Sequence, residues 1–186
     1  FISFVTVRQP GGLYLHRADG AGADSVLFEG VVDEGVVTGD DRGLILRQGS
    51  LGAVAGGRNI TGLRLGTDKA PVPVLATEFD EMAVALSPNG NWLAYQSDET
   101  GSTEVFVRPF PDVNAGKQVV SSGGGLAPVW SRDGKELFYL SGDKKMMAAR
   151  LIPGAASRFA QPVVLFRVPD DLVGGDNCFF AATGIT

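Results

Sequence analysis

Residues 82–111 read MAVALSPNGNWLAYQSDETGSTEVFVRPFP, and this stretch decides the fold. Met82, Val84 and Leu86 alternate with their neighbours at the period of a strand. Ser87-Pro88-Asn89-Gly90 is then a turn, because Pro88 fixes φ at the corner while Asn89 and Gly90 tolerate the left-handed backbone that closes a hairpin. A second strand is predicted from Trp92 to Ser97, a polar turn at Asp98-Glu99-Thr100-Gly101, and a third strand at Val105-Phe106-Val107. The product is an antiparallel meander with no catalytic signature of its own.

Working outward, the same pattern returns. Ala127-Pro128-Val129-Trp130, the turn Ser131-Arg132-Asp133-Gly134, the strand Glu136 to Leu140, the turn Gly142-Asp143-Lys144-Lys145 and the strand Met146 to Leu151 form a second copy, with Gly134 lying 44 residues after Gly90. A third copy reads Val36-Val37-Thr38, the turn Asp40-Asp41-Arg42-Gly43 and the strand Leu44-Ile45-Leu46; with Gly43 set against Gly90, its spacing is 47 residues. A closing strand ends each copy, at 71–76, 117–121 and 162–166. Periods in this range belong to the four-stranded blades of propellers. The expected fold class is therefore an all-β propeller of four-stranded antiparallel blades, about four of them visible, with limits near 1–29 (partial), 30–76, 77–122, 123–167 and 168–186 (partial).

The head of the chain matches the middle of a copy: FISFVTV aligns with Trp92 to Asp98, and Leu13 to Arg17 aligns with Val105 to Pro109. The tail, from Asp170 through Asn177-Cys178-Phe179-Phe180-Ala181, reads as a first strand, a turn and a second strand. Propellers often build one blade from both chain ends. Both ends here offer the second strand, so the alternatives are a closed ring and a partial ring completed by a second copy, since open blade edges pair.

Composition agrees with many short strands. The 186 residues suit one domain, 44% are hydrophobic and 20% charged, and 26 Gly with 10 Pro fit tight turns better than long helices. A formal net charge of −5 argues against nucleic acid and anionic membrane surfaces as partners. Neither a membrane-spanning apolar run nor a secretory leader is recognisable, and the lone Cys178 excludes an intrachain disulfide.

The strings SPNGNWLAYQSDETGSTEVFVRPFP and PVWSRDGKELFYL closely resemble the WD40-like repeats of TolB-type (PD40) propellers, whose hallmark is Ser-Pro-Asp-Gly-Lys before an aromatic-aliphatic strand. The VRPFP ending and the GGGLAPVWSRDGKELFY junction look most like propellers attached C-terminally to bacterial serine/threonine protein kinases. Residues 82–151 carry the resemblance most fully, 31–76 less so, and 1–29 through their strand pattern alone; Asn89 stands where the family has Asp. It implies a non-catalytic sensor or protein-interaction module, part of a larger bacterial protein, either soluble or the extracytoplasmic portion of a membrane protein.

Chemistry is sparse in the residues themselves. Trp92, Trp130, Tyr95, Phe138 and Tyr139 are read as rings filling the space between blades. A hydrolase would depend on His16, the single histidine, with a nearby Ser; Gln48-Gly49-Ser50-Leu51-Gly52 misses the nucleophile elbow by one position. One His and one Cys do not make a zinc site, and the acids at Asp40-Asp41, Asp80-Glu81 and Asp170-Asp171 with Asp176 lack the order of a calcium loop, so no metal and no cofactor are expected. Kinase motifs and phosphate-binding glycine loops are missing from the string.

What remains is recognition. His16, Arg64, Arg108 and Arg150 fall at matching third-strand positions and would set basic groups on one side, with Phe110 and Tyr14 as aromatic candidates for a glycan or small-molecule ligand at a channel mouth. Three readings follow: a module binding protein or small-molecule partners and pairing with a second copy, a hydrolase using His16, or a glycan binder.

Overall fold

Every regular element among the described residues is a β-strand, and each sheet is an unbroken antiparallel meander. The computed structural model describes residues 2–6 (backbone alone), 11–48, 58–154 and 158–169. Strands β1 (Ile2–Thr6), β2 (Gly12–His16) and β3 (Ser25–Glu29) form a three-stranded sheet. A second sheet runs β4 (Glu34–Val37), β5 (Gly43–Gln48), β6 (Asn59–Arg64) and β7 (Val72–Leu75). The third is β8 (Met82–Leu86), β9 (Trp92–Ser97), β10 (Glu104–Pro109) and β11 (Gln118–Val119). The fourth is β12 (Gly125–Trp130), β13 (Glu136–Ser141), β14 (Lys145–Arg150) and β15 (Val163–Arg167). The all-β, four-stranded reading therefore stands; the tail strands expected within 170–186 lie outside the described residues.

One side-chain device makes three of the first turns. The hydroxyls of Thr38, Ser87 and Ser131 donate to Asp40, Asn89 and Asp133 at 2.5, 2.8 and 2.8 Å. The same hydroxyls accept the N–H of the residue that opens the next strand, Gly43, Trp92 or Glu136, each at 2.9 Å. Asp40, Asn89 and Asp133 also each accept an amide two residues on, at 3.1 Å. Such local bonds close a turn without help from tertiary packing. They also correct the alignment made from glycines: the left-handed corner matching Gly90 (φ 70°) and Gly134 (φ 69°) is Asp41 (φ 56°), not Gly43. Asp tolerates that backbone region better than most side chains, so the repeat from the second to the third sheet is two residues longer than the glycines suggest.

A second repeated device lies in the first strands. Ala83 in β8 and Ala127 in β12 both have left-handed φ, 51° and 50°, a strain of order 1–3 kcal/mol each. β12 slips register at this point, between Leu126 and Val129. The kink turns an amide toward a neighbouring sheet: Ala127 N–H donates to Gln96 Oε1, and Val84 N–H donates to Glu34 Oε2, both at 3.0 Å. Gln96 and Arg47 occupy the same place in their strands, four residues after Trp92 and Gly43, which pair with the strand ends Pro109 and Arg64. Buried Arg47 has its Nε 3.0 Å from Glu34 Oε1 and a terminal nitrogen 3.5 Å from Asp33. Where one sheet uses a carboxamide directly, the other uses a carboxylate held by a guanidinium.

The chain divides into two compact units, Phe1–Val84 and Ala85–Thr186. In the first, Leu13, Val32, Leu44 and Leu46 form one buried cluster, and Ile45, Ile60 and Leu75 are buried as well. In the second, Ala94, Val105, Val107, Val120, Trp130, Leu137, Tyr139, Ala149 and Phe159 fill the space between the third and fourth sheets. Trp130 stacks at a tilt on Phe159 with centroids 6.1 Å apart and donates its indole N–H to Ala85 C=O at 3.3 Å. Tyr95 stacks on Phe106 at 5.6 Å. Burial, and secondarily the nearby Glu104 charge, pushes the Tyr139 phenol up to about 12. Buried Glu104 accepts the Ser121 hydroxyl and the Gly124 amide (2.9 Å), and Ser121 accepts Val105 N–H at 2.7 Å. These bonds fasten β10 to the connection entering β12. At the far edge, β15 leaves Val163, Val164, Leu165 and Phe166 about half exposed.

Gly125 is demanded by that connection, since a Cβ there would lie 2.3 Å from Ser121 Oγ and 2.5 Å from its Cβ. A Gly125→Ala variant is expected to lose about 1–3 kcal/mol by urea unfolding, the usual cost of overpacking. Gly116, whose Cβ would meet nothing within 4 Å, serves as the control, and equal midpoints for Gly125→Ala and Gly116→Ala contradict the packing account.

The turn acids give a pH dependence. Asp133 is held below its ordinary 3.8 first by the Ser131 hydroxyl and then by the Lys135 amide, and Asp40 first by the Thr38 hydroxyl. A lowered folded value means the stabilisation is present above pH 3.8 and is lost as pH falls through the folded values. Asp133→Asn copies the natural Asn89 turn and removes the titrating group. Its urea midpoint is predicted to fall less than that of the parent between pH 5 and pH 2.5; parallel curves would show that Asp133 contributes nothing to acid sensitivity.

Candidate functional site

The basic residues singled out from the sequence are held in different ways. His16 ends β2, with Nδ1 2.6 Å from Asp24 Oδ1 on an exposed surface. Among the described residues no serine hydroxyl is bonded to its ring. Arg64 closes β6 and is exposed. Arg150 closes β14 and lies 3.3 Å from Glu136. Arg108 is one residue out of step: it pairs with Leu93, the second residue of β9, whereas Arg64 and Arg150 pair with the first residues of β5 and β13. A one-residue shift sends a side chain to the opposite face of a strand. Arg108 accordingly turns to the buried side, donating from Nε to Tyr95 Oη at 2.8 Å and from a terminal nitrogen to Val113 C=O at 2.9 Å. It pins the loop after β10.

Phe110 is half-buried at the end of β10, its N–H bonded to Asn91 C=O at 2.8 Å. Tyr14 is half-buried in β2. The acids follow the same pattern: Asp80 pairs with Arg58 at 2.9 Å, and Glu81 accepts the Thr77 hydroxyl. Among the described residues no three His, Cys, Asp or Glu come together as metal ligands, and no helix is long and apolar enough to cross a membrane. Cys178, Gly49 to Gly57 and the acids at 170, 171 and 176 lie outside the described residues.

A concave site does exist, in a place the sequence reading passed over. A cleft of about 480 Å³ within the second unit is lined by Trp92, Val107, Pro109, Gly116, Lys117, Gln118, Arg158 and Phe159. Trp92 opens β9, Val107 and Pro109 come from β10, the loop and β11 supply Gly116 to Gln118, and the link between β14 and β15 supplies Arg158 and Phe159. The Arg158 guanidinium lies over the Trp92 ring, 4.8 Å from its centroid. Its backbone N–H donates to Gln118 Oε1 at 3.0 Å, and Leu151 bridges to Phe159, so the link is tied on both sides. Trp92, read as core, does touch the core, yet remains half-buried and forms the cleft floor. Lys117 reaches Glu99 at 2.7 Å and sits 5.6 Å from the Phe106 ring. Arg158 has no carboxylate partner among the described residues.

No family model matches the chain, and no curated protein matches its sequence. Solved structures do match its fold. A TolB-designated protein from Agrobacterium tumefaciens superposes with a TM-score of 0.65 at 14% identity, covering 88% of this chain and 59% of its own. TolB from Acinetobacter baumannii gives 0.63 at 14% identity, with 89% and 40% covered. A puromycin-hydrolyzing peptidase from Mycobacterium tuberculosis gives 0.54 at 15% identity, with 81% and 27% covered. This chain thus spans less than two thirds of the length of each. At such identities the likeness speaks for fold alone, and that fold is the four-stranded antiparallel architecture of β-propellers.

Proposed function

We propose that this chain is a non-catalytic binding module that holds a segment of a protein partner in the cleft beside Trp92, and that it serves as the recognition part of a larger bacterial protein. One observation carries the reading: the cleft has a rigid aromatic floor, one cation without a carboxylate partner among the described residues, and walls tied down by backbone bonds. Concave sites of this size, mostly apolar with a few placed polar groups, are where ligands are held. The resemblance to TolB-type and kinase-linked propellers supports the same reading. The hydrolase alternative keeps His16 and its Asp24 partner, but no described serine completes a nucleophile pair.

The test is a peptide-display selection against the whole chain, repeated on a Gly116→Trp variant. Position 116 has open space for a side chain, so the variant should fold and fill the cleft. Peptides enriched on the parent are expected to lose at least tenfold in affinity for Gly116→Trp. Enriched peptides that bind both proteins alike, or no enrichment at all, would contradict the reading.

A further inference from the structure

The geometry points to a carboxylate reader: the Arg158–Trp92 pair takes a single Asp or Glu side chain of an extended partner segment, with an adjoining apolar side chain against Pro109 in the space beside Gly116. This rests on the binding-module reading and names the chemistry of its ligand. Three observations lead to it. First, the guanidinium lies over the indole ring, 4.8 Å from its centroid, and no described carboxylate meets its N–H donors. A guanidinium's planar fork matches a carboxylate, bonding it through two parallel N–H donors.

Second, the cleft offers a single uncommitted cation. Lys117 already meets Glu99 at 2.7 Å, whereas Arg158 has no carboxylate partner among the described residues. A phosphorylated segment is recognised by clusters of Arg, so one guanidinium suits a monoanion better. Third, the chain carries a net charge of −5. Its field opposes the approach of a polyanion, which favours a mostly apolar segment with one acid over an acidic tract or nucleic acid. The remaining lining agrees, since Pro109 is apolar and only part-buried, Val107 and Phe159 back the cleft from the core, and Gly116 leaves room.

The experiment uses the whole chain labelled with ¹⁵N, following the Trp92 indole N–H and the Arg158 Nε–H. The probes are acetyl-Gly-Leu-Glu-Gly-amide, its Gln counterpart, sodium acetate and inorganic phosphate. The Glu peptide is expected to shift both signals together and saturably, with a Kd at least tenfold lower than the Gln peptide. Arg158→Lys keeps the charge but loses the planar fork. It should weaken the Glu peptide about fivefold or more while the rest of the spectrum is retained.

Equal affinity for the Glu and Gln peptides overturns the carboxylate assignment and leaves the binding-module reading standing. Acetate or phosphate binding as tightly as the Glu peptide also overturns it, since the site would then hold small anions. No shift with any probe sinks the inference, and the peptide-display selection then decides separately whether the cleft binds anything.

Discussion

An amide that a strand cannot satisfy within its own sheet is what the rest of this structure depends on. A four-stranded meander buries little by itself and needs a neighbour. The first strands of the third and fourth sheets kink at a left-handed alanine and hand an N–H to an acceptor on an adjacent sheet, Glu34 in one case and Gln96 in the other. The neutral Ala127–Gln96 bond is worth only about 0.5–1.5 kcal/mol net and the charge-assisted Val84–Glu34 bond about 1.5–3, whereas leaving either buried amide unmet costs about 1–3 kcal/mol. The bond therefore sets register between sheets more than it adds stability. With register set, Ala94, Val107, Leu137 and Tyr139 meet as one core in the second unit.

The cleft follows from the same arrangement. Because the third and fourth sheets are fixed against each other in the second unit, the link from β14 to β15 is held beside the start of β9 and brings Arg158 onto Trp92. Trp92 serves two ends: its inner side joins the core and its outer side is a platform. Arg108 and Tyr95 hold the loop whose far end forms the opposite wall. Recognition thus falls to residues on strands and to Arg158 and Phe159, which are tied to Gln118 and Leu151, an arrangement that suits a binder that changes little on engagement.

Much of the fold was legible in the sequence because its turns are made locally. Ser87, Asn89 and Gly90 lie within four residues and need no tertiary partner, and the Ser131 turn repeats them. The second sheet was harder to phase: its corner is Asp41, and a glycine two residues later drew the alignment to itself. The set of matching basic residues failed at Arg108 for a related reason, since a one-residue offset is invisible in a string and reverses the face. Arg158 carried no signal. It sits in an irregular link more than sixty residues from Trp92 in sequence, and only the packing of two sheets places one over the other.

Residue-resolved native-state hydrogen exchange tests the central claim most directly. If side chains from a neighbouring sheet capture the kinked amides, Val84 and Ala127 should exchange as slowly as Tyr95 and Phe106 at the strand centres, although both sit beside a break in the strand pattern. Exchange of Val84 and Ala127 at the rate of exposed loop amides such as Gly116 would contradict the account.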